Sequence, residues 1–365
     1  MTFCFTNNDL FRSCHITITS LSLWDLGTWT CRVHHTASEK YQEARLVVEE
    51  NMRDINVRLP SNIQPSSYMI HLIPFIIPDN FTISGHVEID LDVSEPSDNI
   101  TLHIYDITIH ERDVTVLTED GSMVDIVGHS YDEERQFYII HLAEAPDSSK
   151  LQLSIFFTGV LNDELAGFYR SSYTENGEKK WIATTQFEAT DARRAFPCFD
   201  EPAMKAVFQI NLGRLPSMSS ISNMPIEEEG VAIQGSEYVW DIYQESVKMS
   251  TYLVAFVVSD FVYRKSEPMD NGVEFRIWSR KGAINQTEWA SEIGPQILHY
   301  YEDYFNTSFP LPKQDMIAIP GEINSIKLLN LSLSRFQCWC HGELGPYNLQ
   351  GECSSIPARY GNNNP

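Results

Sequence analysis

From Leu59 onward the chain alternates apolar and polar residues in short runs separated by Pro, Gly, Asn and Asp, and nothing else in it constrains the fold as strongly. The runs cover 68–73, 81–83, 87–93, 100–104, 136–140 and 151–157, and continue at 206–212, 238–243, 253–261 and 274–278. A period of two sends successive side chains to opposite faces, so each run reads as a strand with one face on a core. Many short strands joined by turns predict a sandwich or a saddle-shaped sheet. The first convincing helix spans 286–304 and gathers Trp289, Ile293, Ile297, Tyr300, Tyr301 and Tyr304 on one face, the pattern of a helix that buries an apolar stripe. A short apolar strand follows at 316–320, after which 321–365 lose all periodicity and end in Asn362-Asn363-Asn364-Pro365, so a disordered tail is expected there.

Residues 14–50 read as further strands, around Ile16 to Leu23, Trp29 to Val33 and Leu46 to Val48. The stretch 25–31 resembles the corner before strand F of an immunoglobulin-like domain, with Trp29 standing two positions before Cys31 where Tyr is usual. Cys4 and Cys14 are too close to Cys31 to be its partner across a sandwich, so the segment reads as the last strands of one.

With 365 residues, 42% of them apolar, the chain is long enough for more than one core. Lys and Arg number 26 against 50 Asp and Glu, a formal charge of −24 that repels a phosphate backbone or an anionic membrane surface. No nucleic-acid partner is expected. The seven cysteines form two clusters and one isolate, Cys198, which is not a dense disulfide framework. Asn-x-Ser/Thr acceptors at Asn80, Asn99, Asn285, Asn306 and Asn330 favour a glycoprotein of the secretory route. The opening residues carry no basic stretch followed by an apolar one, and no run approaches the ~20 apolar residues of a membrane span. The expectation is an incomplete chain whose parent form is extracellular or at the cell surface, with membrane anchoring confined to a longer form.

Two stretches carry a specific resemblance. Leu165-Ala166-Gly167-Phe168-Tyr169-Arg170-Ser171-Ser172-Tyr173 and the unbroken run from Thr184 to Pro202, which contains Gln186-Phe187-Glu188-Ala189-Thr190-Asp191 and Phe196-Pro197-Cys198-Phe199-Asp200-Glu201-Pro202, resemble the aminopeptidase N-like zinc exopeptidases of peptidase family M1. Met249 to Phe256, and the order of helix, Pro310-Leu311-Pro312-Lys313 and the 316–320 strand, extend the likeness over 59–320.

The resemblance implies an all-β amino-terminal domain leaning over a thermolysin-like catalytic domain. It implies that Gln186 and Glu188 belong to the pocket for the substrate's amino terminus, a buried Glu188 carboxylate facing the ammonium. A peptide lacking a free amine would leave that charge unpaired, which is a sound basis for exopeptidase selectivity. Asp191, Arg193, Arg194, Asp200 and Glu201 read differently, as a paired network fixing this loop against the sheet. Cys198 reads as a buried thiol.

The family's hydrolytic chemistry needs zinc, held by His-Glu-x-x-His on a helix and a further Glu, with an open position for water. None of the eleven histidines fits: His110-Glu111 is followed by Val114 where the second imidazole belongs, and His341 lacks both partners. Where the family continues past the 316–320 strand with Gly-Ala-Met-Glu-Asn, this chain has Gly321-Glu322-Ile323-Asn324. Cys338, Cys340, His341 and Cys353 do not show the two-to-four-residue gap usual between paired zinc cysteines, so free thiols are expected there.

The expected fold is therefore mainly β. A partial immunoglobulin-like segment (1–50) precedes a large antiparallel sandwich or saddle (51–265), the α+β opening of a thermolysin-like domain (266–320) and a divergent tail (321–365). The expected function is that of a zinc aminopeptidase fragment, truncated before its zinc site, inactive alone and binding no zinc. Its partners would be peptide amino termini, weakly, with a protein partner possible through the immunoglobulin-like segment. The competing expectation is a non-catalytic extracellular binding module.

Overall fold

The computed structural model describes residues 56–320, together with the backbone of strands at Thr2–Cys4, His15–Thr17, Gly27–His35, Lys40–Val48 and Ser325–Leu329. The chain divides into two compact units, Met1–Arg58 and Leu59–Pro365. In the first, β1 (Thr2–Cys4) pairs with β2 (His15–Thr17), and β3 (Gly27–His35) pairs antiparallel with β4 (Lys40–Val48). The side chains on which the immunoglobulin-like reading depends lie outside the described residues.

The second unit is built on an eight-stranded sheet. Its centre is a long antiparallel pair, β5 (Ile63–Ile77) and β6 (Asn80–Val93). The sequence pattern divides β6 into two runs at Gly85, but the strand is continuous. Gly85 stands opposite Phe157, and a Cβ there would lie 2.2 Å from the phenyl ring, so the ring fills the place of the missing side chain. On one side of β5/β6 follow β12 (Lys150–Val160) with β8 (Ile107–Ile109) and β9 (Thr115–Thr118), and on the other β15 (Val207–Arg214), β18 (Val239–Tyr243) and β17 (Ile226–Ala232). β15 joins β5 in parallel, the other pairings being antiparallel.

Two smaller antiparallel sheets complete the β domain. One has the order β10 (Ile126–Asp132), β11 (Phe137–Leu142), β7 (Asn99–His103). The other has the order β13 (Gly167–Glu175), β14 (Glu178–Gln186), β19 (Phe256–Ser259), β16 (Ser219–Ser222). Alternating side chains such as Ile70, Leu72, Val87, Ile89, Leu153 and Ile155 meet Ile100, Tyr138, Phe168, Phe196 and Phe256 in one continuous core.

The last layers contain the crossover unit. β21 (Glu274–Ser279) and β22 (Lys313–Ile319) are parallel neighbours joined through α1 (Glu288–Phe305), the connection that parallel strands require, with β20 (Val262–Lys265) and β23 (Ser325–Leu329) at the edges. Trp278, Ile317 and Ile319 pack on Ile182, Ile221 and Val257 of the β13–β16 sheet. Phe275 and Ile277, alternating with them, face Ala290 and Leu298 of α1. Beyond β23 the expectation of a disordered tail lies outside the described residues.

α1 corrects the reading of its own face. The helix buries Ala290, Gly294 and Leu298, while Trp289, Ile297, Tyr300 and Tyr304 are exposed. The reason is the closeness of the sheet: a Cβ on Gly294 would lie 2.6 Å from the Phe275 ring, so small residues form the contact and large ones are turned away. Asn306 ends the helix in the left-handed conformation, where its N–H donates to Asp303 O and the N–H of Thr307 to Glu302 O.

Candidate functional site

The segment from Gln186 to Glu201 leaves the end of β14 and is anchored at both ends. Phe187 is buried edge-on against Phe196 and Phe256 at 6.0 and 5.7 Å. The Asp191 N–H donates back to Phe187 O at 2.9 Å, closing a turn around Glu188, Ala189 and Thr190. β14 ends at Gln186 after four consecutive buried residues, and the chain turns at 188–190, where the Glu188 side chain is exposed rather than buried. Gln186 is half-buried, and its amide Nε2 lies 3.4 Å from the Glu188 carbonyl oxygen to which it donates, so the two residues are brought together. The Glu188–Ala189 peptide is cis.

Below this exposed turn the charges form the paired network that the sequence suggests. Arg193 Nε donates to Asp200 Oδ2 at 2.9 Å and its guanidinium also reaches Gln136 Oε1 at 2.9 Å. Asp200 Oδ1 accepts from Thr251 Oγ1 at 2.6 Å, which ties the loop to the segment before β19. Glu201 Oε1 accepts the Leu59 N–H at 2.6 Å, and Phe199 N–H donates to Tyr68 Oη at 3.1 Å. Arg194 bridges Asp191 and Glu164, each at 2.9 Å, with its guanidinium over the Tyr105 ring. Such multiply bonded charges hold backbone position far better than exposed pairs do.

Cys198 is fully buried, and burial pushes its thiol well up from the ordinary range, as expected of a structural rather than a nucleophilic cysteine. A neighbour not legible in the sequence is His103, whose backbone exchanges two hydrogen bonds with Cys198 and whose Nδ1 accepts the Asp200 N–H at 3.2 Å. Burial, and then the Arg193 charge, lower its pKa to about 3, so it sits neutral in the loop's foundation.

Two further features position the turn. Gly167 is the cross-strand partner of Gln186, has φ +71°, and carries Arg194 Cβ where its own Cβ would be, 2.5 Å away. Glycine is thus required both by backbone angle and by space. Further along β13, Ser171 Oγ donates to Pro320 O at 2.5 Å. Ser171 is four positions along the strand from Gly167, so the chain leaves β22 at Pro320 about 13 Å along the same strand from Gln186. Sequence spacing gives no hint of that approach, because Ser171 and Pro320 are 149 positions apart.

Of the acceptor asparagines, Asn80, Asn285 and Asn306 are exposed, and Asn80 Oδ1 accepts from Thr82 Oγ1 at 2.8 Å within its own triplet. Asn99 is half-buried at the start of β7, its amide donating to Asp98 at 3.0 Å. Asn330 lies outside the described residues. Among the described residues no group of three or more His, Cys, Asp or Glu side chains is placed to hold a metal ion, and no helix is long and apolar enough to cross a membrane.

A family model described as the Peptidase M1 N-terminal domain matches residues 64–253. Aminopeptidase M1 of Arabidopsis thaliana is 41% identical over 265 residues, 72% of this chain and 29% of that protein. Aminopeptidase Ey of Gallus gallus is 37% identical over 275 residues, and aminopeptidase N of Bos taurus 36% over 276; each match covers 72% of this chain and 28% of the relative. The chain therefore spans less than a third of the length of these relatives.

Proposed function

The chain belongs to the peptidase M1 N-terminal domain family, and on that premise we propose that its Gln186–Glu188 turn forms part of the surface that receives the amino terminus of a peptide in a zinc aminopeptidase. The observation that carries this reading is an exposed carboxylate on a turn pinned from beneath by buried ion pairs. A charge held so costs little reorganisation when an ammonium arrives, and an internal peptide bond offers it nothing. The closeness of Pro320 to β13 supports a second contribution to the same surface from residues after β22.

Hydrolysis is assigned elsewhere. The family is zinc-dependent, and the described residues do not fit that ion; the His-Glu-x-x-His pattern is likewise missing from the sequence. The 365 residues by themselves are proposed to recognise, and not to cleave. That same lack fits equally a second reading, a non-catalytic extracellular binding module, in which the 1–50 segment, taken as immunoglobulin-like, meets a protein partner. The exposed acceptors Asn80, Asn285 and Asn306 support the secretory route for either reading.

Calorimetric titration of the purified chain with one tetrapeptide in free and N-acetylated forms tests the recognition. The free amine should bind about tenfold tighter, a difference of about 1.4 kcal/mol, and Glu188→Gln should erase the preference. Equal affinity for the two peptides sinks the reading. Turnover of an amino acid anilide with added zinc, abolished by Glu188→Ala, would overturn the expected inactivity.

A further inference from the structure

The segment that leads into β13 holds a leucine in an uncommon state. Leu165 is 58% exposed and has φ +62°, the left-handed conformation that a residue with a Cβ disfavours. A lone exposed leucine is ordinary on a protein surface; one fixed in that conformation is not, and such residues gather where ligands are held. Asn162 fixes the bend from within. Its Oδ1 accepts the Glu164 N–H at 2.8 Å and its Nδ2 donates to Ala166 O at 3.0 Å, closing residues 163–165, all exposed, into one bend.

That bend adjoins the Gln186–Glu188 turn. β13 and β14 pair antiparallel as far as Gly167 with Gln186, and the same register carried two positions past both strand ends sets Leu165 across from Glu188. Arg194 keeps the two segments from parting. Its guanidinium bridges Glu164 on one and Asp191 on the other, each at 2.9 Å, and its Cβ fills the space beside Gly167.

The polar neighbours of Leu165 are already engaged: Asp163 pairs with Arg170 at 3.0 Å and Glu164 with Arg194. What the bend offers a molecule held at Glu188 is therefore an isobutyl group, which gains from burial against another apolar group. The first side chain of a peptide branches from the carbon that carries the ammonium. A peptide anchored by its amine at Glu188 thus brings that side chain toward the residue across from the carboxylate. We propose that Leu165 is a specificity-determining residue that receives an aliphatic first side chain, so that the preferred ligands are peptides beginning with residues such as leucine or methionine rather than glycine. This assignment rests on the reading of the Gln186–Glu188 turn as the amine site and adds to it a choice among amino termini.

The test is calorimetric titration of the full chain with Leu-Gly-Gly-Gly and Gly-Gly-Gly-Gly, each with a free and with an N-acetylated amino terminus. With the amine free, the leucine peptide should bind about fivefold tighter, the gain from partly covering one leucine side chain. Leu165→Asn should abolish that preference and leave affinity for Gly-Gly-Gly-Gly unchanged, because asparagine suits the left-handed backbone and preserves the bend. Equal affinity of the two free peptides, with the free amine still preferred over the acetylated one, overturns the role of Leu165 and leaves the Glu188 reading standing. No preference for the free amine in either peptide removes both. A Leu165→Asn chain that loses affinity for both free peptides to the same degree would make Leu165 a support of the turn and overturn the proposal.

Discussion

The loop from Asp191 to Glu201 and the helix α1 invert each other's polarity. The loop carries five charged side chains and buries most of them; the helix carries a stripe of aromatic side chains and leaves much of it exposed. Charge can be buried when every carboxylate and guanidinium meets a partner, as Arg193, Asp200 and Thr251 do, and the result is a turn held from several directions. Apolar surface stays exposed when the contacting face is set by something else, here the close approach of Gly294 to Phe275. Polarity alone therefore identifies neither the rigid part of this molecule nor the buried side of its helix.

The contrast is most easily broken at Asp200. Asp200→Ala leaves the buried Arg193 without its counter-charge, with Gln136 Oε1 its remaining side-chain acceptor, and should cost about 3–5 kcal/mol in urea unfolding. A loss below 1 kcal/mol would place the pair in solvent and end the comparison. Gly167→Ala should cost about 1–3 kcal/mol, from a left-handed backbone and a collision with Arg194; a neutral result would mean that β13 moves freely beneath the Gln186 turn.

The pH dependence sharpens the same point. His103 is neutral in the folded state with a pKa of about 3, against an ordinary value of 6.5 when unfolded. The unfolded chain thus binds the proton first, and stability, intact above about pH 6.5, falls as pH drops through that value toward 3. Burial, and then His86, lower His71 to about 4, which acts in the same direction. His103 alone should remove on the order of 1 kcal/mol between pH 7 and 5.5. Unfolding midpoints that hold level across that window, with the His103 resonance already protonated at pH 5.5, would contradict its burial. The smallest effect belongs to the helix: Tyr304→Ser should change stability by less than about 0.5 kcal/mol, because that ring is 68% exposed. A large loss would mean that the stripe packs on this chain after all.

Much of the β architecture was legible. The alternating runs at 68–73, 87–93 and 151–157 fall within β5, β6 and β12, because a sheet buried on one face writes its period directly into the chain. β13 and β14 were legible only as family-like text. Their ends touch different cores, Phe168 in one and Tyr173 in another, and no single period survives that change. Gln186 and Glu188 were visible through the resemblance, while the exposure of Glu188 was not, because it is set by the turn that follows the end of β14. The partnership of His103 with Cys198 and Asp200 was invisible, since it joins β7 to a loop 97 residues away from the histidine.

The sequence by itself determined that this is a mainly β chain of the M1 amino-terminal kind, and that its charges near Asp191 could be paired. Both follow from local order: the period of two, and an unbroken run of family-like residues from Thr184 to Pro202. Only the tertiary structure decided which face of α1 is buried, which histidine lies under the loop, and that β22 ends beside β13. Those facts are distances between residues far apart in the chain, and close packing, not local preference, sets such distances.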